Sequence, residues 1–223
     1  MKRTLWTVTA VLLLFSAVAA AQSPKAATYI TDEQVKAVNA LPGTDRQLVS
    51  VDIGKLNEAV GIIHRGKSGA PPAAGARGAA GGGAAAGGAG RGAAAAAEPC
   101  GEQMTTPPAD ATPGGIAHDH QTETYIIVSG GGTLVTGGKI VNGRKSAPDS
   151  EVTKVLNGPS CSGAIAGPDV VKRVVKVGDI IIIPANVPHG WTDITDHVDY
   201  LSVRPDPDRV LPAGYANPAL KKP

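Results

Sequence analysis

An all-β domain, a sandwich or barrel of short strands, is what this sequence predicts, and three observations carry the prediction. From Ile116 onward, short β-type stretches recur near 116–120, 123–129, 132–136, 151–156, 170–176, 179–183, 189–194 and 198–204. Turn residues punctuate them: Gly130-Gly131-Gly132, Gly137-Gly138, Asn142-Gly143, Asn157-Gly158-Pro159, Gly178-Asp179 and Pro184-Ala185-Asn186. No helical period of apolar residues intervenes. Short strands at regular spacing, with turns and no helices between them, are the mark of antiparallel sandwiches and barrels.

Composition narrows the function classes. The 223 residues hold 21 Lys and Arg against 19 Asp and Glu. Lys2 and Arg3 are the only charged residues among the first 21, so beyond them 19 basic residues face 19 acidic ones. A chain so balanced lacks the basic surface of a nucleic-acid binder. Aromatic residues make up 3%, too few to stack single-stranded bases. A hydrophobic share of 42% in under 250 residues predicts one core.

The N-terminus has the form of an export signal. Lys2-Arg3 precede an uncharged apolar stretch over residues 5–18, and Ala19-Ala20-Ala21 precede Gln22. A basic head, a short apolar middle and small residues at the end predict a signal peptide over 1–21, cleaved after about Ala21. An uncleaved anchor is the alternative, although a membrane span needs about 20 apolar residues. No later run is long enough to cross a bilayer, so the mature chain is expected to be soluble, in the periplasm or secreted, with no stable membrane insertion. In an oxidising compartment Cys100 and Cys161 are expected to pair, the alternative being two free thiols.

Residues 22–65 read as a short helix and two arm strands of the sheet. Thr31-Asp32-Glu33-Gln34 matches a capping box and starts a helix running to about Ala40, stopped by Pro42-Gly43. Strand patterns follow at 47–53 and 59–65. Residues 66–97 differ in kind, because 26 of these 32 positions are Gly or Ala. Such a segment offers little to bury, and it predicts a flexible, disordered insertion into one domain. The barrel proper is expected over 98–210, with a tail over 211–223. The β-branched segments around Val174 and Ile181 are expected to have a buried face.

The chemistry concentrates on a few side chains. His118 and His120 stand two apart, and on a strand residues i and i+2 point to one face. Glu123 follows on the next strand, and His189, framed by Pro188 and Gly190, can join from a neighbouring one. Three imidazoles and a carboxylate suit Fe, Mn, Co, Ni, Cu or Zn with one or two positions left open. Tyr125 shares the face of Glu123 and can line the pocket. His64 can reach the barrel mouth or lie on the surface, and Arg204 can clamp an anion or sit at a solvated strand end. His197 reads as a surface residue.

At these residues the sequence resembles the cupin superfamily, whose motifs are G-x5-H-x-H-x3-4-E-x6-G and G-x5-P-x-G-x2-H-x3-N. The first is matched by His118-Asp119-His120, Glu123 and, six residues on, Gly130; the second by Gly178, Pro184, Asn186 and His189, with Asp193 at its end. Thr112 stands where the leading Gly is expected, and only two residues separate His120 from Glu123. The resemblance, over about 114–204, implies a jelly-roll β-barrel enclosing one divalent metal on His118, His120, Glu123 and His189. It also makes a homodimer an expectation. The function expected is therefore an exported, metal-dependent enzyme acting on a small organic molecule. A redox metal would point to a dioxygenase, and Zn, Mn or Ni to a lyase, isomerase or hydrolase. The alternative is a barrel that binds a small molecule or a metal without turnover.

Overall fold

The structure, a computed structural model, describes residues 26–69 and 97–221. The expected signal peptide and most of the Gly/Ala-rich segment lie outside these residues. Among the described residues no helix is long and apolar enough to cross a membrane.

The chain enters through helix α1, Asp32–Asn39, and its start is the one the sequence predicts. The Gln34 amide donates to the Thr31 hydroxyl, and Gln34 Oε1 accepts from the Thr31 N–H at 2.9 Å. Asp32 and Glu33 in the first turn suit the positive end of the helix dipole. Val38 on the buried side of α1 packs against Leu48 and Ile62, so the helix lies across the outer face of the strands that follow.

Those strands are antiparallel throughout. In chain order they are β1 Asp45–Asp52, β2 Asn57–Gly66, β3 Pro99–Cys100, β4 Thr112–His118, β5 Glu123–Thr136, β6 Lys139–Lys145, β7 Ser160–Ala166, β8 Val171–Lys176, β9 Ile180–Ile183, β10 His189–Thr192, β11 His197–Asp206 and β12 Tyr215–Ala216. One sheet runs β12-β1-β2-β11-β5-β9, and the other runs from β8 and β5 through β10, β4, β7 and β6 to β3. The all-β expectation holds, with the strand path open at β12 and β3.

Strand β5 belongs to both sheets. Its first half lies between β11 and β9, its second between β10 and β8, and it changes sheet at Gly130-Gly131-Gly132. Gly130 has φ of 63°, and a Cβ there would stand 2.0 Å from the His197 carbonyl oxygen, so the bend requires glycine. The two stretches expected at 123–129 and 132–136 are thus one bent strand. Between the sheets lies a core of Ile63, Tyr125, Ile127, Leu134, Val175, Ile183, Ile194, Val198 and Tyr200. Trp191 packs on Tyr200 with ring centroids 5.3 Å apart.

Three segments depart from expectation for readable reasons. The stretch 151–156 is a single π-helical turn, Val152–Leu156, despite its β-branched residues. Ser150 starts it, its carbonyl accepting from the Lys154 N–H at 3.0 Å and its hydroxyl from the Thr153 N–H at 3.3 Å. Strand β6 runs through Asn142-Gly143, which reads as a turn. Asn142 takes φ of 51° at a break in register and bonds both backbone groups of Met104 through its side chain. Strand β7, Ser-Cys-Ser-Gly-Ala-Ile-Ala, carries little β-propensity; a Cβ at Gly163 would stand 2.7 Å from the Val141 carbonyl, so close approach selects its small residues. The hairpin β8–β9 is largely exposed, and only Val175 and Ile183 turn inward to burial.

Cys100 and Cys161 form a disulfide with Cα atoms 6.0 Å apart. It joins β3 to β7 across the intervening β6. With 61 residues of separation, the bridge restricts the unfolded chain by about 4 kcal/mol on the chain-entropy account. Urea unfolding with and without reductant should therefore differ by roughly that amount. Coincident curves would show that the bridge contributes no stability.

Candidate metal centre

Three buried side chains from three strands meet in the interior. His118 ends β4, Glu123 opens β5 and His189 opens β10, and each is at most 2% exposed. One ligand atom from each lies within 4.8 Å of the others. Glu123 Oε2 is 3.2 Å from His118 Nε2 and 3.1 Å from His189 Nε2.

The tautomers follow from the outer nitrogens. The Ser160 hydroxyl donates to the Gly158 carbonyl at 2.9 Å, so its oxygen accepts from His118 Nδ1–H at 2.8 Å. His189 Nδ1 faces the Val187 carbonyl at 3.0 Å, which can only accept. In a neutral imidazole a proton on Nδ1 leaves a lone pair on Nε2. Burial pushes the His118 pKa down against the pull of Glu123, and so favours the neutral ring. Both Nε2 lone pairs therefore aim at the region occupied by a carboxylate oxygen.

Glu123 is held ionised from behind. Its Oε1 accepts from the Ser202 hydroxyl at 2.7 Å and from Arg204 Nε at 3.0 Å, while Tyr125 donates to Oε2 at 2.8 Å. Burial acts to raise the Glu123 pKa, and the charge of Arg204 acts to lower it. Burial pushes the Tyr125 phenol well up, aided by the charge on Glu123, so Tyr125 serves as a donor rather than a base. Arg204 is completely buried and also reaches Gln47 at 3.0 Å, the Leu156 carbonyl at 3.1 Å and Asp45 at 2.6 Å.

A cavity of about 20 Å³ opens beside the three ligand atoms, lined also by Asp45, Ile63, Arg65, Ile116, Tyr125 and Asn157. It has room for one ion or one water. Among the described residues, His189 Nε2, Asn157 Oδ1 and Asp45 Oδ1 are buried on its lining residues without a hydrogen-bond partner. Buried polar atoms are normally paired, so these unpaired acceptors on one lining suit a cation.

His120 is the principal correction. It is not with the other three: its side chain is 45% exposed and its Nδ1 lies 2.9 Å from Asp208. Strand β4 ends at His118, and the chain bends at Asp119, whose N–H donates to the Pro159 carbonyl at 2.9 Å. The i, i+2 rule applies only along an unbroken strand, and on β4 the residue sharing the face of His118 is Ile116. Arg204 is no solvated strand end but the buried anchor of Glu123. His64 lies outside, paired with Asp199 at 2.6 Å and stacked on His197. Tyr125 takes the lining position its alternation predicts.

Sequence reasoning missed Ser202, Ser160, Asp45 and Asn157. For Ser202 a signal existed: strict alternation along β11 buries Val198, Tyr200, Ser202, Arg204 and Asp206 on one face. Three polar residues continuing an apolar face mark a buried polar network. For the other three the partners are remote in sequence and leave no local pattern.

Replacing Arg204 with Met would leave Glu123 and Asp45 as buried carboxylates without their cation. Breaking a buried pair in this way costs about 3–5 kcal/mol. Urea denaturation of Arg204→Met should show that loss, and a midpoint shift worth less than about 1 kcal/mol, the range of exposed pairs, would contradict it.

No family model matches this chain, and no curated protein matches it. Among solved structures, it is similar to Peruvianin-I, a cysteine peptidase from Thevetia peruviana latex, at 9% identity and a TM-score of 0.28. The match covers 74% of this chain and spans 63% of the length of that one. A likeness this weak has no bearing on fold or chemistry here.

Proposed function

We propose that this chain is an exported cupin-type protein that holds one divalent transition metal on His118, Glu123 and His189 and uses it on a small molecule. The observation that carries the reading is the convergence of two buried imidazole Nε2 atoms on one carboxylate oxygen. Three acceptors at such distances repel one another unless a cation stands among them.

The cupin reading is supported by recounting the motif. Four residues separate His118 from Glu123, so His118 takes the second imidazole position and Ile116 the first. The intervals from Glu123 to Gly130 and from Gly178 to His189 are kept. Export is supported by the Cys100–Cys161 bridge, which suits an oxidising compartment.

Two imidazoles and one carboxylate with open positions form the donor set of non-haem iron oxygenases, which favours oxygen chemistry over the lyase or isomerase reading. Such a metal supplies Lewis acidity and, where its electrons allow, redox chemistry. The protein's own groups do the rest. Ser160 and the Val187 carbonyl fix the two imidazoles, Ser202 and Arg204 fix the carboxylate, and the Tyr125 hydroxyl donates to Glu123 Oε2. The walls of Ile63 and Ile116 exclude bulk water. The small cavity favours a second reading, in which the protein holds its metal without turnover, because organic ligands generally fill pockets of about 300–1,000 Å³.

Elemental analysis of the natively exported protein should find close to one transition metal per chain. His189→Ala should lower metal affinity by at least about tenfold, since even supporting residues around a metal have effects of that size. His120→Ala should retain full metal content. A wild-type protein that takes up none of these metals would end the proposal.

A further inference from the structure

Asn157 presents an oxygen to the same cavity that the rest of the fold leaves unexplained. It follows the π-helical turn Val152–Leu156, and its N–H donates to the Val152 carbonyl at 2.9 Å, which fixes its position. The residue is 7% exposed and lines the cavity. Its Nδ2 stands 3.3 Å from His118 Nε2, while its Oδ1 is buried with no hydrogen-bond partner among the described residues. Leaving such an atom unpaired is costly, because its desolvation is not repaid. The loop carrying it also supplies Gly158 and Ser160, which hold the opposite nitrogen of the same imidazole.

The two ends of a carboxamide have nearly the same shape, so a half-turn about χ2 exchanges Nδ2 and Oδ1 at little steric cost. In one orientation the amide donates to the lone pair that His118 would offer a metal. In the other it places an oxygen lone pair beside His118 Nε2. On the strength of the metal reading above, we propose that Asn157 Oδ1 is a fourth protein ligand of the cation, and that the donor orientation is its resting form without metal. The amide then donates to His118 when the site is empty and offers its oxygen to the cation when it is filled. Neither orientation moves a proton or an electron, because the amide is neutral in both. A neutral amide oxygen is a hard donor, so it biases the site toward Fe(II), Mn(II), Co(II) or Zn(II) and away from Cu(I). The position that Ile116 cannot fill is thereby supplied from another loop.

Titration with Co(II), followed by its visible ligand-field bands, tests this directly. Asn157→Leu, which keeps the branching at Cγ but has no donor atom, should weaken Co(II) binding by at least about tenfold and change the bands, since a ligand is lost rather than a supporting contact. Asn157→Asp should restore both affinity and a band pattern near that of the wild type. Asn157→Ala, with thermal unfolding measured alongside, serves where the Leu variant does not fold. Wild-type affinity and unchanged bands in a folded Leu or Ala variant would overturn the inference while leaving the three-ligand site intact. An Asp variant as weak as the Leu variant would also overturn it. Failure of the wild-type protein to bind Co(II) would instead overturn the metal reading itself.

Discussion

The interior is organised by one carboxylate whose two oxygens face different surroundings. Glu123 Oε1 belongs to a saturated network with Ser202 and Arg204, and Oε2 belongs to the cavity with Tyr125 and two imidazoles. A buried carboxylate is tolerated only where it is paired and hydrogen-bonded. Arg204 provides that pairing, and it in turn requires Asp45, Gln47 and the Leu156 carbonyl. Strand β1, strand β11 and the π-helical turn are therefore tied to the beginning of β5 through a single guanidinium. Withdrawing Arg204 removes the reason for Glu123 to stay charged where it is.

That dependence explains why part of the site was legible in the sequence and part was not. Glu123 follows from its place at the start of the strand after His118, Tyr125 from alternation with Glu123, and His189 from its setting between Pro188 and Gly190. Each of these signals is local, and the chain obeys it locally. His120 departs from the H-x-H pattern because β4 stops at His118, which its short spacing to Glu123 hints at; the Asp119 N–H still bonds the Pro159 carbonyl, but Pro159, forty residues away in sequence, has no N–H to continue the ladder. Arg204 was misread because a charged residue near a strand end is usually solvated, and only the remote carboxylates of Asp45 and Glu123 reverse that expectation.

The same division holds for the fold. The helix start at Thr31, the β1–β2 pair and the disulfide were readable from cap chemistry, alternation and compartment. Besides the two-residue strands β3 and β12, the strands without a sequence signal are β6 and β7, which carry an internal Asn-Gly and a run of small residues. Close packing, rather than intrinsic preference, settles their conformation: Gly143 and Gly163 each lie where an added Cβ would meet neighbouring atoms within 3.0 Å.

The glycine bend in β5 makes the ligand spacing a matter of leverage. Glu123 sits seven residues before Gly130, an arm of about 23 Å at the usual rise per residue. Opening the bend by roughly 5° would carry the arm's tip through about 2 Å, a large fraction of the gaps that separate the ligand atoms. Angular stiffness at Gly130, where the backbone leans on the His197 carbonyl, thus governs whether donors far along the strand stay within reach of one another. A substitution at that hinge, by displacing the His197 carbonyl, would disturb the pocket without touching any residue that lines it.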